Sequence, residues 1–189
     1  MATRELKIRY EHDEDTESPR ENCDPFGSMI CFHKRYSLGD ETELRSSQFD
    51  GWDELRSHLE RELGAVVILP LYLFDHSALT MSVGSNQFRA CDPVGWDWGQ
   101  VGFIYATRKN ILDNWMKKRL TKKLLAQAKE LLTAEVKEYD MWLQGDCWGY
   151  VIEDEEGQHI DSCWGFIGED WVKQAGAEAL AAAMSGGGA

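Results

Sequence analysis

The chain has 189 residues and a formal net charge of −13 at pH 7, a length that supports one full hydrophobic core but is short for two. The negative charge argues against a broad surface for duplex nucleic acid and against docking on anionic membranes. The composition, with 43% hydrophobic and 28% charged residues, is that of a globular protein.

The first half of the chain is predicted to consist mainly of strands. In order, the patterns predict a strand over residues 5–10, an exposed acidic loop over 11–24, a strand over 28–36, a helix over 51–63 and strands over 66–74 and 79–83. Because Pro70 has no N–H to donate to a sheet ladder, the strand that contains it should lie at an edge or carry a bulge.

The second half contains the longest helical pattern. In order, we predict a strand over residues 101–105, a short helix over 107–115, a long helix over 121–143, a hairpin with arms at 147–153 and 158–166, an alanine-rich helix and a frayed Gly-rich tail at 185–189. Thr107 and Thr121 are placed to cap the first two helices. We expect one α+β domain over residues 1–189, with a mixed or mainly antiparallel sheet on which the long amphipathic helix packs.

The sequence also bears on the compartment. The first fifteen residues contain no apolar segment of the secretory type, and the longest apolar run, residues 65–74, is too short to span a bilayer. The five cysteines include no CxxC pair, which argues against a disulfide framework and against a zinc knuckle. We expect a cytoplasmic protein with no membrane partner, no cofactor and no resident metal.

Charge is segregated along the chain. Residues 107–123 carry seven Lys and Arg against one Asp, whereas residues 144–170 carry eight acids and no Lys or Arg. One interpretation is that both are simply solvated faces; the other is a cationic patch for an anion and an acidic face for a basic partner. The candidate binding residues are Arg108, Lys109, Lys118 and Arg119 in the first segment and Glu153, Asp154, Glu155 and Glu156 in the second.

Two further segments carry candidate binding residues, the turn at residues 75–77 and the loop at residues 91–103. Adjacent Asp, His and Ser residues cannot converge as a catalytic triad, and all three are common in turns. The loop combines carboxylates, tryptophans and glycines, which suits a planar ligand, although its rings could equally pack into the core. The candidates are Asp75 and His76 in the turn and Asp92, Trp96, Asp97 and Trp98 in the loop.

A metal site has weaker support. Cys31 and His33 are two residues apart on a predicted strand and share a face, and Cys23 could approach them. The spacing matches no recognised zinc site, so we expect no metal there.

Several blocks together resemble a family of small acidic proteins encoded by bacteriophages and mobile genetic elements. The blocks are TESPRENCDPFGSMICFHKRYSLGDE, LYLFDHSALTMS, WDWGQVGFIYAT, KRLTKK, EVKEYDMWLQGDCWGY and EDEEGQHIDSCWGF, and they run from about Asp15 to Gly168. The resemblance implies a setting, the cytoplasm of a host cell, and brings no catalytic residues with it. CDPVGWDWGQ is longer than the corresponding turn of the family.

Three functions remain open, in this order of preference. The first is a non-enzymatic accessory protein that binds and inhibits a host protein by presenting carboxylates where that protein expects phosphates. The second is a small-molecule or nucleotide-binding protein that acts as a signal sponge; for a nucleotide, Trp96 and Trp98 would stack the base and the basic residues of 108–123 would meet the phosphates. The third is a metal-assisted hydrolase that uses His76 with one of three carboxylates, Asp75, Asp92 or Asp97.

Overall fold

Two antiparallel sheets and five α-helices make up residues 5–21 and 24–186, the part of the chain that the computed structural model describes. In order, the elements are β1 (Leu6–His12), β2 (Ser28–Cys31), α1 (Trp52–Arg61), β3 (Ala65–Asp75), β4 (Leu79–Ser82), α2 (Asn86–Cys91), β5 (Trp98–Thr107), α3 (Arg108–Asn114), α4 (Lys122–Leu143), β6 (Cys147–Asp154), β7 (His159–Ile167) and α5 (Glu169–Gly186). The predicted α+β class is confirmed. Across these residues, no helix has both the length and the apolar character that a membrane crossing needs.

The elements group into two compact units. Unit 1 is built from residues 1–18 and 141–189, and unit 2 is the continuous segment 19–140. Each has its own sheet, and each is described by itself. The prediction of one domain over the whole chain stays a prediction.

Unit 1 contains a three-stranded sheet in the order β1-β6-β7. Side chains alternate across β6, so that Tyr150 and Ile152 point to the same face, where Val172 of α5 packs against them. All three are buried. In that order of the described strands β7 is an edge strand, which pairs with β6 on one side only.

Unit 2 contains a four-stranded sheet in the order β2-β5-β3-β4. Leu55 and Leu59 of α1 cover one face of it, against Ile30, Phe103 and other residues of the strands. The predicted apolar stripe of the long helix is confirmed: Leu124, Ala128, Leu132, Val136 and Tyr139 of α4 are all buried. Pro70 pairs with Phe103 of β5, in a stretch of β3 that β4 does not reach. The N–H that Pro70 lacks therefore interrupts no hydrogen bond between β3 and β4.

Strand direction decides where the ends of the strands meet. β5 is antiparallel to both β2 and β3, so β2 and β3 run in the same direction on either side of it. The carboxyl ends of β2 and β3 therefore lie at the same edge of the sheet as the beginning of β5. β2 ends at Cys31 rather than at the predicted residue 36, which leaves residues 32–36 as a loop at that edge.

A buried ion cluster, which the sequence did not predict, holds the segment before β2. The Arg20 side chain is 2% exposed and donates from Nε and Nη2 to both carboxylate oxygens of Asp40, at 2.7 and 2.9 Å. Its Nη1 lies 3.2 Å from Glu135 Oε2 on α4, and its Nη2 also donates to the carbonyl oxygen of Gly27 at 2.7 Å. The guanidinium thus joins three segments that are far apart in the chain.

Some boundaries differ from the predictions for simple reasons. β1 continues through Glu11 and His12, because these two residues pair with Gly149 and Trp148 of β6, so the acidic loop begins later than residue 11. α2 was not predicted, since six residues carry too little periodicity. α5 continues through residues 185 and 186 of the predicted tail; residues 187–189 and Cys23 lie outside the described residues.

Candidate functional sites

A cleft of about 550 Å³ lies at the sheet edge of unit 2 where β2 and β3 end and β5 begins. Its lining combines three short segments: residues 32–35 after β2, Leu73 and Asp75 at the end of β3, and residues 96–101 at the start of β5. Four predicted binding residues, Asp75, Trp96, Asp97 and Trp98, thus line one cavity. The topology brings them together although they lie in two separate segments of the chain.

An ion pair and a His–Asp contact fix the polar groups of the cleft. Asp75 accepts from the guanidinium of Arg35 and lies 3.4 Å from the Tyr36 hydroxyl. His76 places Nδ1 3.0 Å from Asp97 Oδ2, with its side chain 65% exposed. The side chains of the predicted candidates Asp75 and His76 therefore have different partners, although the backbone N–H of Asp75 also donates to the carbonyl oxygen of Asp97 at 2.7 Å.

Asp92 organises the loop that leads into the cleft. Its carboxylate accepts from the backbone N–H groups of Val94, Gly95 and Asp97 at 3.0–3.2 Å. These hydrogen bonds, that from Asp97 first, lower the pKa of Asp92. Gly95 has a φ of 80°, a value that glycine adopts without steric cost. Asp92 thus organises the loop, and it is not among the described residues that line the cleft.

The two tryptophans of this loop differ in role. The Trp98 indole N–H donates to the Asp92 carbonyl oxygen at 2.8 Å, and its ring lies 6.1 Å from that of Tyr72. Trp96, two residues earlier, is 85% exposed. One ring is fixed against the sheet, and the other projects from a hydrogen-bonded loop.

The opposite wall of the cleft comes from a segment that the sequence reasoning missed. His33 and Tyr36 stack with ring centroids 5.0 Å apart, and the guanidinium carbon of Arg35 lies 5.4 Å from the Tyr36 ring centroid. Lys34 and Arg35 are exposed cations beside the tryptophans. The sequence predicts residues 32–36 as part of a strand, because FHKRY can continue an alternating pattern, whereas β2 ends at Cys31.

The cationic segment 107–123 lies elsewhere in unit 2. Arg108, Lys109, Lys118 and Arg119 are all exposed, and Lys109 pairs with Asp113 at 2.8 Å. Thr107 and Thr121 cap α3 and α4 as predicted, accepting from Asn110 N and Leu124 N at 3.1 and 3.2 Å. Among the described residues that line the cleft, none comes from this segment. The predicted combination of Trp96 and Trp98 with these cations is therefore not formed.

Unit 1 carries most of the negative charge. It contains 15 Asp and Glu against four Lys and Arg, a net −11, whereas unit 2 contains 18 against 16, a net −2. Unit 1 has about a third of the residues and most of the excess charge. The acidity of this protein is thus a property of one unit.

The four predicted carboxylates of the β6–β7 hairpin do not play one role. Glu153 lies 3.1 Å from Arg9 of β1, and Asp154 accepts from the backbone N–H groups of Glu156 and Gln158 in the turn. Glu155 and Glu156 are the exposed pair, although the backbone N–H of Glu5 also donates to Glu155 at 3.2 Å. The turn therefore presents two of its four acids to solvent.

The other end of β7 combines acids with exposed aromatic rings. Trp164 and Trp171 are 45% and 65% exposed, and Glu169 and Asp170 between them are exposed as well. The binding residues predicted from the sequence include neither tryptophan. Together with Glu155 and Glu156, these four residues define what we call the acidic surface.

Neither the metal nor the hydrolase hypothesis gains a complete site. Within residues 5–21 and 24–186, no three His, Cys, Asp or Glu side chains are grouped as metal ligands. Burial raises the pKa of the Cys31 thiol to about 12, with a smaller contribution from Asp40. His76 and Asp97 form a possible general-base pair, and hydrolysis stays a prediction.

Comparison of this chain with protein-family models, with curated proteins and with solved structures finds no match. The resemblance to proteins of bacteriophages and mobile elements therefore stays a prediction, and the functional argument starts from the two surfaces just described.

Proposed function

We propose that this protein is a non-enzymatic binding protein whose unit 1 docks on a basic, nucleic-acid-binding surface of another protein. The observation that carries the proposal is the concentration of charge: a net −11 in unit 1 against −2 in unit 2. A surface of one sign attracts a partner of the opposite sign and speeds the encounter.

The composition of the acidic surface supports a protein partner over a small cation. Its exposed carboxylates lie at both ends of β7, Glu155 and Glu156 at one and Glu169 and Asp170 at the other. A strand of nine residues separates the ends by roughly 30 Å, which is the scale of a protein interface and far beyond that of an ion site.

The exposed tryptophans add the apolar part of an interface. Trp164 and Trp171 flank the β7–α5 junction, and exposed tryptophan is a frequent anchor in protein complexes. Strand β7 is also an edge of its sheet, so its backbone can pair with a strand of a partner. Charge would supply steering, and the rings would supply affinity.

The setting that the resemblance implies specifies the partner. A protein of a mobile element that presents carboxylates in place of phosphates would occupy the nucleic-acid site of a host nuclease or defence protein. Binding would then inhibit that protein without any reaction of its own.

Affinity capture from a bacterial host lysate, with the full chain as bait, tests the proposal. After nuclease treatment, bound proteins are eluted with duplex DNA and quantified by mass spectrometry at 50 and 300 mM salt. We expect a nucleic-acid-binding protein that is lost at high salt and displaced by DNA. Trp171→Ala should reduce its recovery about tenfold.

Charge reversals provide the matched comparison. Glu155→Lys with Glu156→Lys, or Glu169→Lys with Asp170→Lys, should abolish capture. Glu130→Lys with Glu138→Lys changes the net charge equally at two exposed positions of α4 in unit 2 and should leave capture intact. Equal loss in all three variants, or capture that DNA does not displace, would contradict the proposal.

A further inference from the structure

We infer that the cleft of unit 2 is a second, separate binding site, which takes a planar aromatic ring that carries a phosphate, as in a mononucleotide. The ring would stack on Trp96, and the phosphate would face Lys34 and Arg35 on the opposite wall. This inference does not depend on the acidic surface, because every residue of the cleft belongs to unit 2.

The first argument is the fixed exposure of Trp96. An indole ring that stays 85% exposed forgoes the burial that usually places tryptophan in a core. The exposure does not come from a loose loop, since Asp92 accepts three backbone N–H groups around it and also accepts from Trp98 through its carbonyl oxygen. An exposed indole on a loop whose backbone is held by hydrogen bonds offers a stacking surface at a place that is set before the ligand arrives.

The second argument is the charge facing that ring. Arg35 is paired with Asp75, and the Asp97 carboxylate contacts the His76 ring. Lys34 is exposed, and among the described residues it has no ion-pair partner. With its histidine neutral, the cleft lining carries two cations, Lys34 and Arg35, and two carboxylates. Lys34 is the cation available to a phosphate, and Arg35, already held in place by Asp75, can add a planar fork of donors.

The third argument is the location in the near-neutral unit. Unit 2 carries a net charge of only −2, against −11 for unit 1. An anion that approaches the cleft meets local cations with little repulsion from the rest of that unit. The cleft volume of about 550 Å³ falls in the range of small-molecule sites.

The cationic segment 108–123 offers a weaker alternative. Its residues surround a smaller recess of about 330 Å³ lined by Trp115, Lys117 and Arg119 among others, but Trp115 is half-buried and packs edge-on against Phe26 at 5.3 Å. The ring of Trp115 therefore already has a packing partner, whereas the ring of Trp96 is exposed. The cleft is therefore the better site for a stacked base.

Isothermal titration of the full chain with AMP, GMP, CMP and UMP tests the inference, with adenosine and inorganic phosphate as partial ligands. We expect saturable binding of at least one mononucleotide with a dissociation constant below 1 mM. The nucleoside and inorganic phosphate should each bind at least tenfold more weakly. Trp96→Ala should weaken the mononucleotide about tenfold or more, since one stacked base contributes that much. Lys34→Gln should weaken it about threefold to tenfold and reduce its salt dependence.

Matched variants separate this site from the others. Trp171→Ala removes an exposed tryptophan of unit 1, and Lys129→Gln removes an exposed lysine of α4; neither should change the affinity. Asp92→Ala should weaken binding without a direct contact, because it frees the loop that holds Trp96, and circular dichroism should show an intact fold.

Three results would overturn the inference. The first is no binding of any of the four mononucleotides at 1 mM, and the second is full affinity after Trp96→Ala. The third is that the double variant Lys118→Gln with Arg119→Gln loses the gain in affinity of the mononucleotide over the nucleoside, while Lys34→Gln keeps it. None of these results bears on protein capture by unit 1, so the two proposals fail independently.

Discussion

At the scale of single residues, the most consequential contact is the one Arg20 makes. A guanidinium 2% exposed with two carboxylates around it is stable only while all partners are present, because an unpaired buried charge is costly. Burial alone would lower the pKa of Arg20, but hydrogen bonds and attraction from Asp40 and then Glu135 outweigh it and raise that pKa. The cluster is therefore expected to remain charged in the folded protein.

Replacing Arg20 should test this cluster. Arg20→Ala leaves Asp40 and Glu135 without their cation, and we expect a loss of about 3–5 kcal/mol in the free energy of unfolding. Urea denaturation followed by circular dichroism measures it. The control is Arg56→Ala, which breaks an exposed ion pair with Glu60 on α1 and should lower the free energy of unfolding by at most about 1 kcal/mol. Equal losses in both variants would mean that the buried cluster stabilises the fold no more than a surface ion pair does.

Cysteine reactivity should follow burial. The thiolate is the reactive form, and with a pKa of about 12 for Cys31 its fraction at pH 8 is about a thousandfold smaller than that of an ordinary thiol near 8.5. Cys91 and Cys163 are exposed. Brief alkylation with iodoacetamide followed by peptide mass spectrometry should therefore label Cys91 and Cys163 and leave Cys31 unmodified until urea is added. Fast labelling of Cys31 in the native protein would contradict this assignment.

At the scale of elements, β2 and β5 of unit 2 approach each other closely at one glycine. A Cβ added at Gly102 of β5 would lie 1.8 Å from the carbonyl oxygen of Ile30, and that backbone cannot move without breaking the ladder. At Gly99 of the same strand, an added Cβ would have nothing within 4 Å. One strand thus carries a glycine that cannot be replaced and one that can.

This pair of glycines supplies a matched prediction. We expect Gly102→Ala to detach β2 and to lower the free energy of unfolding by more than about 3 kcal/mol, the upper range for overpacking. Gly99→Ala should change it by less than about 1 kcal/mol. Thermal denaturation of both variants provides the measurement. Similar midpoint temperatures in the two variants would contradict the close pairing of β2 with β5.

The same elements show what a sequence can and cannot predict. α4 was predictable because its apolar residues keep one period over 22 residues and Thr121 supplies a cap. The end of β2 was not, since FHKRY can continue an alternating pattern. Trp96 and Trp98 share a residue type and lie two positions apart, but Trp98 begins β5 and bonds to Asp92, whereas Trp96 stays exposed, and this difference depends on tertiary contacts. Arg20 contacts a residue 115 positions away, a distance at which local patterns carry no information.

At the scale of the whole molecule, uneven charge should make salt act unevenly. Like charges destabilise a compact state, and added salt screens them. With a net −11 in unit 1 and −2 in unit 2, raising NaCl from 20 to 500 mM should slow hydrogen exchange more in β1, β6 and β7 than in β3 and β5. Exchange followed by mass spectrometry resolves the two regions. A uniform change in both sheets would mean that the charge imbalance does not affect stability.

The way the chain divides between its units has a consequence for biosynthesis. Unit 2 is one uninterrupted stretch, whereas β1 must wait for β6, so that Leu6 finds its partner Asp154 only after nearly 150 further residues have been made. On the ribosome, unit 2 can therefore collapse first, while the amino-terminal strand stays unpaired. The acidic surface lies on β7, α5 and the turn before β7, which all follow unit 2 in the chain, so a product that stops before β7 would lack it.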